Sequence, residues 1–219
     1  MKSSVLLLAG SLLSGAAQVQ AQTAPAPRPW LVGVGLTAMS GYYIRANESL
    51  DGVRFAPNLH AQVAMSPRVA LQGAVAYQKR TTDRDESGNA TRYVQHKETK
   101  STVVPVLLRV TLGPLPRKAH VALLGGLTFR HSDLVNQETY YNTGGTYPGT
   151  FRNEQLENRL DVFFSLGAGL RYQVAPRWAA LADIGLNFRL GGEKTQYYEL
   201  LPASTLAVGV GYSLGAARP

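Results

Sequence analysis

Residues 69–79 read Val69-Ala70-Leu71-Gln72-Gly73-Ala74-Val75-Ala76-Tyr77-Gln78-Lys79. Val69, Leu71, Val75 and Tyr77 share one parity; Gln72, Ala74, Ala76 and Gln78 share the other. Alternating side chains point to opposite faces of a strand, so this stretch is a strand with one apolar and one small, polar face. Ser66-Pro67-Arg68 precedes it as a turn, and 80–98, rich in Thr, Asp, Asn and Gly, follows as a long connection.

The same pattern recurs along the chain. It predicts strands at 30–44, 54–65, 69–79, 99–112, 119–131, 159–173, 178–190 and 204–214. Short connections, each with a Pro-Arg pair, fall at 66–68, 113–118 and 174–177. Long ones fall at 46–53, 80–98, 132–158 and 191–203. Short and long alternate strictly, which places all long loops at one end of an up-and-down arrangement. Pro57 and Pro105 lie inside predicted strands, where each removes a ladder donor, and a bulge or widened register is expected at both.

The apolar parity carries Val104, Val106, Leu108, Val110 and Leu112 on one strand, and Leu206, Val208, Val210 and Tyr212 on another. The opposite parity carries Arg54, His60, Arg109, Arg130, Asp161, Arg171, Asp183 and Arg189. It also carries the small residues, including Gly33, Gly35, Gly169, Gly209 and Gly211. Small residues suit a crowded lumen, so the polar face is expected inside and the apolar face outside. Aromatics of the apolar face gather near strand ends: Trp30, Tyr172, Trp178 and Tyr212 at the short-turn end, and Phe55, Tyr77, Phe129 and Phe188 at the other. Two such girdles fit two membrane interfaces. A soluble, lipocalin-like periplasmic barrel holding an apolar ligand inside is the alternative.

Composition agrees. The 219 residues carry 16% charged residues, 45% hydrophobic residues and a net charge of +8. That is too apolar for a disordered chain and poor in charge for a soluble domain. Without cysteine there is no disulfide frame, thiolate metal site or cysteine nucleophile. Lys2, the apolar run Val5–Leu13 and Val19-Gln20-Ala21 form a secretory signal, expected to be cleaved after residue 21. A Pro-rich spacer (22–29), the barrel domain (30–214) and a short tail (215–219) complete the predicted organisation. No later apolar run is long enough for a membrane helix, and an exported chain without helices spans as a closed barrel.

Thr102-Val103-Val104-Pro105-Val106-Leu107-Leu108-Arg109, together with residues 69–79 and Val208-Gly209-Val210-Gly211-Tyr212, resembles the small bacterial outer-membrane β-barrel family common in Bacteroidetes. The resemblance covers about residues 30–214. It implies an all-β fold, an eight-stranded antiparallel up-and-down transmembrane β-barrel of the porin-like kind. It implies the outer membrane as location, with outer-membrane lipid, lipopolysaccharide and the barrel-assembly machinery as partners, and a monomer. The chain departs from the family at its end, where Tyr212-Ser213-Leu214 and a tail replace a terminal aromatic residue.

For function, a lumen this narrow is filled by its own side chains, with the arginines paired in part to Asp161 and Asp183. Some similar barrels modify lipid A acyl chains with Ser and His. The candidates His131-Ser132-Asp133 and His96, Glu98, Ser101 place Ser and His on opposite faces, so no catalytic residue is assigned. The four histidines lack ligand spacing, and no metal or cofactor is expected. Nucleic acid has only the basic charge in its favour. Tyr93, Tyr140, Tyr141, Tyr147, Tyr197 and Tyr198 fall in or beside the long loops. They are candidates for binding an external ligand, or for covering the barrel mouth and resting in lipopolysaccharide head groups. The expected role is a non-enzymatic surface protein displaying four extracellular loops from a rigid anchor, serving membrane integrity, adhesion or loop-mediated binding.

Overall fold

A computed structural model describes residues 30–40, 53–88, 91–114, 118–142, 144, 149–191 and 202–214. The predicted signal, spacer and tail lie outside these residues, as do Tyr147, Tyr197, Tyr198 and most of the connections at 46–53 and 191–203.

The strands are β1 (Trp30–Ser40), β2 (Arg54–Ala64), β3 (Val69–Ser87), β4 (Thr91–Leu112), β5 (Ala119–Asn142), β6 (Gly149–Ala175), β7 (Trp178–Gly191) and β8 (Ala203–Leu214). Each pairs with its sequence neighbours, and β1 pairs antiparallel with β8, closing the ring. Closure satisfies the backbone groups that an open sheet would leave at its edges. The β1–β8 seam is tight. Gly33 faces Gly211 and Gly35 faces Gly209, and a Cβ on Gly35 would lie 2.2 Å from the Val208 carbonyl oxygen. Only glycine fits there.

The two faces divide as the alternation predicts. Val34, Leu59, Leu123, Ile184 and Val208 are exposed on the outer wall, while Ala56, Ala122, Leu124 and Phe163 are buried inside with Arg109, Arg130 and Asp161. Leu59 is 65% exposed and Asp161 0%. A soluble barrel would reverse this, because exposed apolar area in water is unfavourable. The lipocalin-like alternative is thereby overturned.

Two expectations fail. The connections at 80–98 and 132–158 are mostly strand, not loop: β3 to β6 run for 19, 22, 24 and 27 residues, against 11 to 14 in the others. They rise past the barrel as a four-stranded wing, held by unbroken pairing from Tyr77↔Thr102 to Ser87↔Arg92 and from His131↔Leu160 to Asn142↔Gly149. Tyr93, Tyr140 and Tyr141 therefore stand on strands. The prolines also make no bulge. The β2–β3 pairing stops at Asn58, beside Pro57, and the β3–β4 pairing skips from Gly73↔Val106 to Ala76↔Val103 without changing register. A missing N–H is tolerated where the ladder is left open on one side. The register shifts occur in β6–β7, at Val162/Phe163 and Gln173/Ala175.

Candidate functional site

The lumen is crossed by two ion-pair layers with a hydroxyl and amide layer between them. At the wing end, Asp161 on β6 lies directly opposite Arg130 on β5 and accepts its Nη2 on Oδ2. Oδ1 accepts Arg159 Nε at 2.7 Å and lies 3.1 Å from Arg189 Nη2. One fully buried carboxylate thus meets three guanidiniums. The Arg130 guanidinium also lies 5.7 Å from the Phe163 ring centroid, a cation–π contact. Arg54, half-buried, faces inward at the same end.

At the short-turn end, Arg109 Nη1 donates to Asp183 Oδ1 at 2.8 Å and to Gln72 Oε1 at 3.1 Å, and Gln72 Nε2 donates to Asp183 Oδ2 at 2.8 Å. Both oxygens of Asp183, on β7, are thereby engaged from the adjacent strands β3 and β4 across the lumen. Arg171, half-buried, donates to Gln173 Oε1 at 3.5 Å. Between the layers, Thr128 and Ser165 hydroxyls share a hydrogen bond of 2.7 Å, Ser165 donates to Asn187 Oδ1 at 2.6 Å, and Asn58 Nδ2 donates to Thr37 Oγ1 at 2.6 Å. His60 Nδ1 lies 3.4 Å from Asn58 Oδ1. These groups border a cavity of about 90 Å³.

The outer wall carries the aromatic residues. Trp30, Tyr172 and Trp178 are exposed at the short-turn end, and Trp178 packs edge-on against Tyr212 at 5.1 Å between centroids. Arg177 Nη1 donates to the Tyr212 hydroxyl at 2.9 Å. Phe55, Tyr77, Phe129 and Phe188 are exposed toward the wing end.

Beyond Tyr77 and Phe129 the outer wall of the wing turns charged. Glu98 contacts Lys79 and Lys100, each at 2.9 Å, and these two ammonium groups hold its carboxyl down at about 2. His96 Nδ1 meets Asp83 at 2.5 Å, and His131 meets Asp133 at 3.4 Å. Ser101 and Ser132 hydroxyls instead face the lumen, 3.3 Å apart. The serines face the lumen and the histidines pair with Asp83 and Asp133 on the outer wall, so the two candidate Ser–His sets are split between opposite faces.

The inner wall of the wing carries an aromatic row. Tyr93 pairs with Tyr140, their rings 4.5 Å apart, and Tyr140 pairs in register with Phe151. Burial and the neighbouring Glu138 carboxylate push the Tyr93 hydroxyl up to about 12. Tyr141 points to the opposite wall. Arg84, Gln95, Glu138 and Asn153 form the next row down. Phe151 escaped the sequence reading because it fell in a supposed loop. Arg159 escaped it too, although it shares the parity of Asp161.

Comparison with known proteins is consistent at the level of fold. The family model described as outer membrane protein β-barrel domain matches residues 7–213. No curated protein matches the chain. Among solved structures, Ail, the attachment invasion locus protein of Yersinia pestis, in complex with the heparin analogue sucrose octasulfate, superposes with a TM-score of 0.53 at 14% identity. The match covers 86% of this chain and 100% of that one. OprG from Pseudomonas aeruginosa gives a TM-score of 0.48 at 8% identity, covering 86% and 97%.

Proposed function

The chain belongs to the outer membrane protein β-barrel domain family and resides in the bacterial outer membrane, and from that premise we propose that it is a non-enzymatic surface-binding protein. The barrel is its anchor and the β3–β6 wing, outside the cell, its binding element. The observation that carries this reading is the row Tyr93–Tyr140–Phe151 on the inner wall of the wing, above a row of amide and charged side chains. Tyrosine offers contact area at low entropic cost, and a rigid strand holds it better than a loop. Tyr140 is 49% exposed and Phe151 70%, so both are available for contact.

Charge narrows the ligand class. The two hairpins, 79–100 and 131–160, hold eight basic and eight acidic residues. A polyanion such as the heparin analogue bound to Ail would find no net attraction there. Aromatic faces flanked by Gln, Asn, Arg and Glu instead suit an uncharged sugar, which stacks its C–H face on rings and hydrogen-bonds at its rim. The barrel itself is placed by lipid on its outer wall, and the assembly machinery would insert it as a monomer.

The test is glycan-array binding by the refolded chain, alongside Tyr140→Ala and Phe151→Ala. Either substitution is expected to weaken binding at least about tenfold, the loss of about 1.4 kcal/mol or more. Unchanged binding in both variants would overturn the reading of the wing.

A further inference from the structure

We infer that the ring of short turns is a docking surface for anionic phospholipid, holding head groups of the inner leaflet while the neighbouring aromatic girdle meets the acyl chains. The inference rests on the orientation proposed above, with the wing outside the cell and the short turns at the inner face of the membrane. The charge of the chain is unevenly placed. The wing hairpins balance to zero, yet the net charge is +8. The short turns hold Arg68, Arg117, Lys118 and Arg177, and Arg28 and Arg218 flank the barrel in sequence. No Asp or Glu occurs in 52–82, 99–132, 162–182 or 200–219, the stretches that contain these turns and the end of the chain. The turns therefore offer cations with no acid of their own to pair them.

Backbone pairing puts these cations at one level. The Arg68 carbonyl accepts from Thr111 N at 2.7 Å, the Lys118 carbonyl from Gln173 N at 2.7 Å, and the Arg177 carbonyl from Ser213 N at 2.8 Å. Each basic residue is thus pinned one step before its strand, β3, β5 or β7, at the same point of the ladder. All three are exposed. Arg177 Nη1 donates to the Tyr212 hydroxyl and Tyr212 packs against Trp178, which holds this guanidinium on the lipid-facing wall at the edge of the girdle. Three residues before Arg68 and Arg177 stand Met65 and Val174, both exposed. A turn that exposes an apolar side chain and a cation suits an interface, where the first enters hydrocarbon and the second meets phosphate. A soluble polyanion would meet the cations but leave Met65 and Val174 in water. A zwitterionic head group would set its own ammonium against them, so the lipid favoured is one with net negative charge.

Trp30 and Trp178 are the only tryptophans of the chain, and both are exposed on the outer wall at this end, so their fluorescence reports the lipid beside it. The refolded full chain is placed in phosphatidylcholine vesicles that contain the same small fraction of either brominated phosphatidylglycerol or brominated phosphatidylcholine. Bromine on the acyl chains quenches a ring that it touches. Each Lys or Arg at a membrane surface favours anionic lipid about fivefold. Phosphatidylglycerol is therefore expected to quench more strongly, and high salt to shrink the excess. The combined variant Arg68→Gln, Lys118→Gln, Arg177→Gln should remove it, whereas Lys79→Gln with Lys100→Gln, at the wing base, should leave it intact. Equal quenching by the two lipids in the native chain, which needs no variant, would overturn the inference. So would an undiminished excess in the combined variant, or equal quenching together with sedimentation on peptidoglycan sacculi that this variant loses. Lys118→Cys, in a chain with no other cysteine, is expected to react with an impermeant maleimide only in permeabilised cells. Reaction in intact cells would overturn the inner-leaflet placement and the reading of the wing together, while equal quenching alone leaves the glycan test with Tyr140 and Phe151 untouched.

Discussion

Arg109 reaches Asp183 by lying across Gly169. A Cβ there would sit 2.4 Å from Asp183 Oδ1 and 2.7 Å from Arg109 Nη2. The absent side chain is thus part of the ion pair. Gly169→Ala is expected to drive the two charged groups apart and cost about 3 kcal/mol, the low end for disrupting a buried pair. Urea titration of the refolded barrel measures this. Gly125→Ala is the control: its Cβ would meet Leu166 at an ordinary 3.6 Å, so its midpoint should stay near the native value.

Asp161 should matter more than any one of its partners. Asp161→Asn leaves Arg130, Arg159 and Arg189 facing a neutral amide, and a loss of about 3–5 kcal/mol is expected. Arg159→Gln removes a partner that is itself 28% exposed, and should cost clearly less. The same titration ranks them; equal losses would contradict the asymmetry.

Depth in the lipid can be read from the outer wall. Leu166 lies midway along the apolar face of β6, between Leu160 and Tyr172. Leu166→Arg is expected to cost about 2–4 kcal/mol in lipid vesicles, and Leu160→Arg, beside the polar wing, about 0–1 kcal/mol. A flat profile would put the membrane elsewhere on the wall.

The wing base should resist acid. Glu98 titrates at about 2 in the folded chain, below its ordinary 4.5, because Lys100 and Lys79 flank it. Its contribution is fully present above the unfolded value and is lost as pH falls through about 2. An NMR titration of the Glu98 carboxyl should show an acidic midpoint, and Lys100→Met should move it upward. High salt should do the same in part, since the cluster is solvent-exposed.

The barrel was legible because lipid outside and packed charge inside make opposite demands on neighbouring residues, as Leu108 and Arg109 illustrate. The wing was not, because water touches both of its walls. Asp83, His96 and Lys100 on one wall and Arg84, Gln95 and Glu138 on the other give no apolar period, and only cross-strand pairing reveals them as strand. Parity did assign Arg130, Asp161, Arg109 and Asp183 to one interior. It could not say which arginine meets which aspartate, since that depends on the stagger between strands. Pro105 misled for a related reason: the effect of a missing N–H depends on which neighbour that position faces.

The glycine seam has a consequence for assembly. Its two strands, β1 and β8, are the most distant in sequence, with Trp30 meeting Leu214. Their pairing requires the largest loop closure in the chain, so it forms late, after the neighbouring hairpins. Gly33, Gly35, Gly209 and Gly211 put no side chain in the way on the inner wall. The final zipping step then brings glycine backbones of the two strands together at those inner positions, while Val32, Val34 and Leu36 meet Tyr212, Val210 and Val208 on the outer wall.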